Sequence, residues 1–531
     1  MAVNKHSSGA LPLEAFRYRM FAMLWVATIV SNIGGWMYSA AAGWLMTSLT
    51  KDAFLVSLVQ VANSAPLFLL AMAAGALTDI VDKRRLLIWG ESATAVLSGI
   101  FAAYVWFHWV TAASLLWFMF LVSVFGALTS PAWQAVVPSL VPKEELPSAI
   151  SANSVGFNLS RAIGPALAGA IIGPLGIAAP FVFNAVSNFG VIGVLAAWRE
   201  PKVTADALPA ERFGSAVGVG LRYAINSTGL RKTFVRTIAF FLFASSYWAL
   251  LPLVARLRVS GGPAIYGFLL GAIGLGAVAA AFVMPYWKKR FGADGLVAAA
   301  SIGTVIALVL FAIAREPIVA LIASIVAGAA WISGVATLNV SAQLALPDWV
   351  RGRGLAMYMT VMFGSLTLGS ALWGQLATLT SLQAALFIAA AGMLVAIPLT
   401  WRWKLQTGER LDLTPSTQWP APVVTRSIEG ADGPVLVTIE YRLARAGDRQ
   451  SFLSALDELQ HERLRDGASS WGIFEDTAQS GRFLETFLVA SWTEHLRQHQ
   501  RVTNADYVLQ AHVIQLLQRD PQISHFIAPK A

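Results

Sequence analysis

Apolar residues in this chain come in long unbroken runs rather than in one-sided stripes. Twelve runs of roughly membrane-spanning length can be laid out, at about 18–47, 55–78, 86–107, 112–133, 150–172, 178–198, 234–256, 264–287, 294–314, 317–340, 353–378 and 382–402. A backbone in lipid has to satisfy its own hydrogen bonds, so each run is expected to be helical. The turn between the second and third runs, Gly75-Ala-Leu-Thr-Asp79-Ile-Val-Asp82-Lys83-Arg84-Arg85, is too short for a soluble linker and too charged to lie in lipid. It reads as a tight hairpin between two membrane helices.

Past Trp403 the pattern changes. A linker holding Thr414, Pro415, Pro420 and Pro422 leads to a segment of soluble character. Val435 to Arg442 alternates as a strand does. Asp448 to Arg465 has the period of an amphipathic helix, with Phe452, Leu453, Leu456, Leu459 and Leu464 on one side. Trp471–Phe474 and Phe483–Val489 read as strands, 492–500 and 504–518 as helices, and Ile523–Ile527 as a last strand. That β-α-β-β-α-β order predicts a small ferredoxin-like α+β domain.

Composition and charge sharpen this picture. Of 531 residues, 56% are hydrophobic and only 13% charged, which is too apolar for a soluble protein of this size. There is no cysteine, so disulfides and thiolate metal sites are excluded. The net charge of +9 belongs to the membrane part: residues 1–419 hold 27 Lys/Arg against 15 Asp/Glu, and residues 420–531 hold 11 against 14. Such an excess signals orientation rather than nucleic acid. With the N-terminus taken as cytoplasmic, the inner segments carry 20 Lys/Arg and the outer loops 4, so both termini are expected in the cytoplasm.

The longest gap between runs, 199–233, divides them six and six. A shift of 205 positions lays Lys83-Arg84-Arg85 on Lys288-Lys289-Arg290, and Pro142, Ser160, Gly164, Leu167 and Gly169 on Pro347, Ser365, Gly369, Leu372 and Gly374. One register across three separate motifs indicates an internal repeat. The expected fold is an all-α polytopic membrane protein of twelve transmembrane helices in two pseudo-symmetric six-helix halves, plus the small α+β domain. Its expected parts are 1–198 and 234–404 (the halves), 199–233 (a cytoplasmic connecting loop), 405–422 (a linker) and 423–531 (the cytoplasmic tail domain).

The Gly-x-x-x-Asp-x-x-x-Lys-Arg-Arg turn after a second apolar run resembles the loop between helices two and three of the major facilitator superfamily. Asp82 stands where many members have Gly, and in this it is similar to the subgroup that includes the enterobactin exporter. The tail resembles the dimeric α/β-barrel domains of the antibiotic-biosynthesis-monooxygenase type. From these resemblances a secondary transporter is expected, and an exporter in particular, acting by alternating access in the bacterial cytoplasmic membrane. Its substrate would be a small organic molecule such as a siderophore, drug or secondary metabolite, with protons as a candidate coupling ion and a tail able to self-associate. No cofactor and no nucleic-acid partner is expected.

The candidate gate residues are Gly75, Asp79, Asp82, Lys83, Arg84 and Arg85. The resemblance gives Asp79 a partner at the start of the eleventh helix, near Gly352 to Leu355; the simpler reading is a charge capping its own turn. Arg161 is the sharper case. It lies eleven residues into the fifth run, roughly 16 Å deep by helical rise, where a cation is costly and usually faces an aqueous cavity. Its repeat counterpart is Leu366. Asn32, Asn63, Asn158, Tyr247 and Asn339 are the other candidate cavity residues, and Trp36, Trp248 and Trp331 are candidate lining aromatics. Gly164-Pro165-x-x-x-Gly169 is similar to the fifth-helix motif of the superfamily's antiporters; its simpler reading is close packing with a bend.

Glu91 is the one acid well inside a run, near its end, so a midplane proton carrier is not evident. Lack of a Walker motif argues against ATP-driven transport by this chain alone. His495 and His499 share a helix face as a metal pair would, but no third ligand is identified, and no metal is expected. The other reading makes the chain a membrane-tethered enzyme or sensor working through its tail. Deleting residues 415–531 and measuring efflux separates the two.

Overall fold

The computed structural model describes residues 14–198, 213–407 and 428–529. The expected linker between the membrane part and the tail falls mostly outside these residues. Twelve helices come first: α1 (Arg19–Leu49), α2 (Ala53–Ile80), α3 (Lys83–Trp106), α4 (Ala112–Leu140), α5 (Leu146–Leu175), α6 (Ala179–Ala197), α7 (Phe213–Asn226), α8 (Thr228–Leu253), α9 (Pro263–Ile313), α10 (Pro317–Leu344), α11 (Arg351–Leu379) and α12 (Leu382–Thr400). All but α7 are long and apolar enough to cross a membrane, which makes eleven candidate spans among the described residues. Helix α9 runs 51 residues. As a straight rod it would reach about 76 Å, more than twice a ~30 Å hydrocarbon core. Just past Lys288-Lys289-Arg290 it kinks at Gly292, whose φ of 66° and ψ of −176° suit glycine.

Caps set where these helices start. The Asp52 carboxylate accepts from Phe54 N at 2.9 Å at the head of α2, Asp82 accepts from Arg85 N at 2.8 Å at the head of α3, and Thr111 and Ser114 form a capping box on α4. The charged turn after α2 therefore starts the next helix. It also ends another: Arg84 donates through Nε to Leu195 O at 2.7 Å and through Nη2 to Ala196 O at 2.6 Å, covering the last carbonyls of α6.

Part of the stretch expected as a connecting loop is helical. Gly220, Tyr223 and Ala224 are buried at helical spacing on α7, so apolar periodicity prevails there over the basic residues around it.

Among the described residues the chain forms two compact units. One draws on Met1–Leu208, Val235–Asn339 and Tyr358–Lys404, the other on Pro209–Phe234, Val340–Met357 and Leu405–Ala531. Within the first, Leu24, Leu86, Leu87, Ala132, Val136, Val191, Leu195 and Trp198 knit α1, α3, α4 and α6. Glycine allows the closest approaches. A Cβ on Gly164 would stand 2.6 Å from Trp36 Cβ on α1, and one on Gly169 2.7 Å from Pro263 O and 3.0 Å from Gly267 Cα on α9. Gly369 and Gly374, their counterparts at the 205-residue shift, abut Leu242 O on α8 at 2.5 Å and Ser57 on α2. Each α5 contact thus has an α11 equivalent.

The second unit holds the tail, with β1 (Val435–Arg442), α13 (Arg449–Asp466), β2 (Ala468–Glu475), β3 (Arg482–Val489), α14 (Trp492–Arg501), α15 (Asn504–Gln515) and β4 (Gln522–Ile527). The sheet is antiparallel in the order β2-β3-β1-β4. Val435, Val437, Ile439 and Tyr441 alternate inward against Phe452, Leu456 and Leu459 of α13. In the same unit Tyr223 of α7 donates its hydroxyl to Ala345 O at 2.9 Å. Arg465 lies over the Tyr223 ring at 5.8 Å, and Arg501 over Trp349 at 4.7 Å.

Candidate functional site

The site gathers around Arg161 on α5. Small residues bring α1 against that helix: Gly156 faces Ile29, Gly164 faces Ile33 and Trp36, and Ser160 Oγ donates to Ile29 O at 3.3 Å. This approach sets Trp36 beside the guanidinium, with 5.6 Å from Arg161 Cζ to the ring centroid. Two more indoles come from the other set of helices, Trp248 of α8 at 5.2 Å and Trp331 of α10 at 5.7 Å. Those two rings pack 5.3 Å apart, and Tyr247, 1% exposed, lies 5.7 Å from Trp248.

Three aromatic faces stabilise a cation, each by about 0.5–1 kcal/mol when exposed and ~2 when desolvated. They offer it no hydrogen-bond acceptor in the ring plane. Arg161 Nε is buried with no hydrogen-bond partner, and among the described residues no carboxylate pairs with the side chain. A guanidinium so placed can present a fork of donors to an oxyanion, while the indoles offer flat apolar walls.

The remaining candidates are placed by other contacts. Asn158 Nδ2 donates to Ser154 O at 2.8 Å on its own helix. Asn63 Oδ1 accepts from Ser123 Oγ of α4 at 3.4 Å. Asn32 and Asn339 are half-buried. Asn184 and Asn188 act as glue: Asn184 donates to Ser98 Oγ at 2.9 Å and Asn188 accepts from Ser31 Oγ at 2.7 Å, joining α1, α3 and α6. Glu91 accepts from Trp133 Nε1 at 3.1 Å. Of the turn motif, Asp82 and Arg84 are helix caps, Lys83 is half-buried, Arg85 is exposed, and a Cβ on Gly75 would meet nothing within 4 Å. The Asp79 side chain lies outside the described residues.

One charged group escaped the sequence reading. Arg236 on α8 is 3% exposed and pairs with Asp294 at 3.5 Å, donates to Thr400 Oγ1 at 3.3 Å, and stacks over Trp401 at 5.8 Å. It stands two residues inside the seventh apolar run, next to the basic Arg231-Lys232, and the sequence reading gave it no role.

Contacts between the two helix sets gather toward the end opposite the Lys83–Arg85 turn. Arg256 donates to Thr47 Oγ1 at 3.0 Å and Ser48 Oγ at 2.8 Å. Thr378 donates to Asp52 Oδ1 at 2.6 Å, and Ser64 and Thr367 share a hydrogen bond of 2.8 Å.

Long apolar helices packed around an aromatic-lined cation suit a membrane transporter, and the family comparison places the chain in the major facilitator class. The family described as transmembrane secretion effector matches residues 10–531, and the chain belongs to it. It is similar to the staphyloferrin A transporter of Staphylococcus aureus, with 25% identity over 49% of this chain and 65% of that protein. It is also similar to macrolide efflux protein A of Streptococcus pyogenes, with 23% identity over 33% of this chain and 42% of that one. The matched part therefore spans less than two thirds of either relative. A bacterial homologue of the human lysosomal transporter Spinster, solved in an inward-facing and unoccupied conformation, shares the fold. Its TM-score is 0.55 at 13% identity, over 73% of this chain and 97% of that one.

Proposed function

We propose that the chain is a secondary active exporter of a small anionic or polyhydroxylated organic molecule, working by alternating access. Its likeness to a staphyloferrin A transporter and a macrolide efflux protein supports a siderophore, drug or secondary metabolite as cargo. The observation that carries the reading is the Arg161 cage, built from α1 and α5 on one side and α8 and α10 on the other. A ligand held between helix sets that part and close is the geometry alternating access requires.

In this reading α9 crosses twice about its Gly292 kink, which makes twelve crossings, and the basic turns face the cytoplasm. The seam of contacts at the Asp52–Thr378 end then closes the outer side, so the conformation is inward-facing. Asp79 belongs to the inner gate, and Asn32, Asn63, Asn158, Tyr247 and Asn339 to the cavity. The sheet order β4-β1-β3-β2 supports a ferredoxin-like tail. Its helix-free face carries Leu436, Phe474, Leu484, Leu488 and Phe526, with Phe474 60% and Phe526 56% exposed, and this favours pairing with a second tail.

The test is Arg161→Leu, which restores the residue of the other repeat, beside Arg161→Lys. Efflux is followed in cells with labelled catecholate and carboxylate siderophores and a macrolide. Arg161→Leu is expected to abolish efflux of the anionic cargo in a folded, inserted protein, and Arg161→Lys to keep part of it. Wild-type efflux of every cargo by Arg161→Leu refutes the assignment.

A further inference from the structure

Between α14 and the β4 edge of the tail sheet lie three imidazoles that transport leaves unused. His495 and His499 are one helical turn apart on α14 and share a face. His525 comes from β4, where pairing opposite buried Val437 turns it to the helix-covered side of the sheet. The Nε2 atoms of His495 and His499 are 3.2 Å apart. One ring nitrogen from each of the three lies within 4.8 Å of the others. The Trp492 ring closes one side, 5.4 Å from the His495 ring and 6.2 Å from that of His525.

The His495–His499 distance matches a metal-ligand pair, and the His525 nitrogen lies near enough to complete a set with a small shift of its ring. Two nitrogens bound at about 2.0–2.1 Å to a tetrahedral zinc ion stand roughly 3.3 Å apart. A hydrogen bond between two neutral imidazoles gives a similar spacing, but it involves two rings, and here a ring nitrogen of His525 lies within 4.8 Å of both. His495 is fully buried, and its Nδ1 has no hydrogen-bond partner. Burial, then the neighbouring His499 and His525, pushes His495 down to about 3. Burial, then His525 and Arg463, pushes His499 down to about 4. Arg463 lies on this side, but Glu485 pairs with it at 3.2 Å, so a cation meets no uncompensated charge there.

We propose that His495, His499 and His525 form a three-nitrogen site for a divalent transition metal, Zn²⁺ first among them, with a fourth position for water or an anionic ligand. Three imidazoles favour Zn²⁺, Cu²⁺ or Ni²⁺ over the oxygen-seeking Mg²⁺ and Ca²⁺. The site lies in the tail and makes no use of the membrane cage.

The experiment takes the full-length protein in detergent, purified without a polyhistidine tag and stripped with chelator, then titrated with Zn²⁺ and Co²⁺. One Zn²⁺ per chain should survive desalting, and Co²⁺ should give the visible absorption of a tetrahedral ion. Losing an outer-shell partner costs about 10–100-fold in affinity, so His499→Gln and His525→Gln should each weaken binding by at least that much. Absence of stoichiometric metal overturns the proposal and leaves a hydrogen-bonded cluster; full affinity in both variants overturns it as well. Should a variant fail to fold, zinc-edge X-ray absorption of the wild type decides: three imidazoles support the site and fewer refute it.

Discussion

Substituting Gly169 by Ala tests the seam between α5 and α9 directly. The added Cβ would stand 2.7 Å from Pro263 O, 3.0 Å from Gly267 Cα and 3.1 Å from Ala264 Cα, all of them backbone atoms. Carbon pairs rest at about 3.5–4.0 Å, so the helices must part by roughly 0.5–1 Å. Overpacking of this kind costs about 1–3 kcal/mol. On the proposed alternating-access reading, the cost falls only on the state in which α5 and α9 touch here, the outward-closed one. A difference of that size shifts the balance of states about 5–150-fold. Because the chain has no cysteine, a single probe reads the shift without background. Ser64 is 1% exposed at the seam, bonded to Thr367, so Ser64→Cys should react with an impermeant maleimide from outside only when the seam opens. Its labelling rate is expected to rise on adding Gly169→Ala. An unchanged rate in a folded protein refutes the account of this contact as the outer closure.

The buried Arg236 pair gives an asymmetric prediction. Asp294→Asn strips a nearly unexposed cation of its partner and should cost about 3–5 kcal/mol, whereas Arg236→Leu leaves an acid that is 23% exposed and should cost less; thermal unfolding in detergent ranks them, and the reverse order refutes the assignment. The tail should be acid-sensitive. Its depressed histidines contribute stability in full above the ordinary histidine range near 6.5, and that contribution is lost as pH falls toward 3–4. His495→Gln should flatten this slope in tryptophan fluorescence titrations, and an unaltered slope counts against it.

The apolar runs were legible because lipid demands a length and a composition that few other segments satisfy. Even the break inside α9 was readable, since Lys288-Lys289-Arg290 interrupts the hydrophobicity just before Gly292. Arg161 stood out by depth alone, and Trp36, Trp248 and Trp331 were each plausible lining. Their convergence on one guanidinium was not readable, because it depends on the rotation of four helices about their axes. Arg236 escaped because a cation near the end of an apolar run reads as able to reach water, and only packing shows it buried against Asp294. His525 escaped as the third imidazole because strand register, not spacing along the chain, sets it opposite Val437 and under α14. Helix α7 was hidden among the basic residues of the connecting stretch.

The contacts of the second unit bear on how this protein is controlled. Tyr223 sits on the connector between the two helix sets, while Ala345 and Trp349 belong to the turn between α10 and α11; Arg465 and Arg501 of the tail hold both aromatic rings. Connector, turn and tail therefore share one set of cation–π contacts, and a rearrangement of the first two has to carry the third along or give those contacts up. Any ligand that binds the tail more tightly in one arrangement acts as a brake or a throttle on the others. By reciprocity, whatever favours one arrangement of the connector and the turn changes the tail's affinity for that ligand by the same factor.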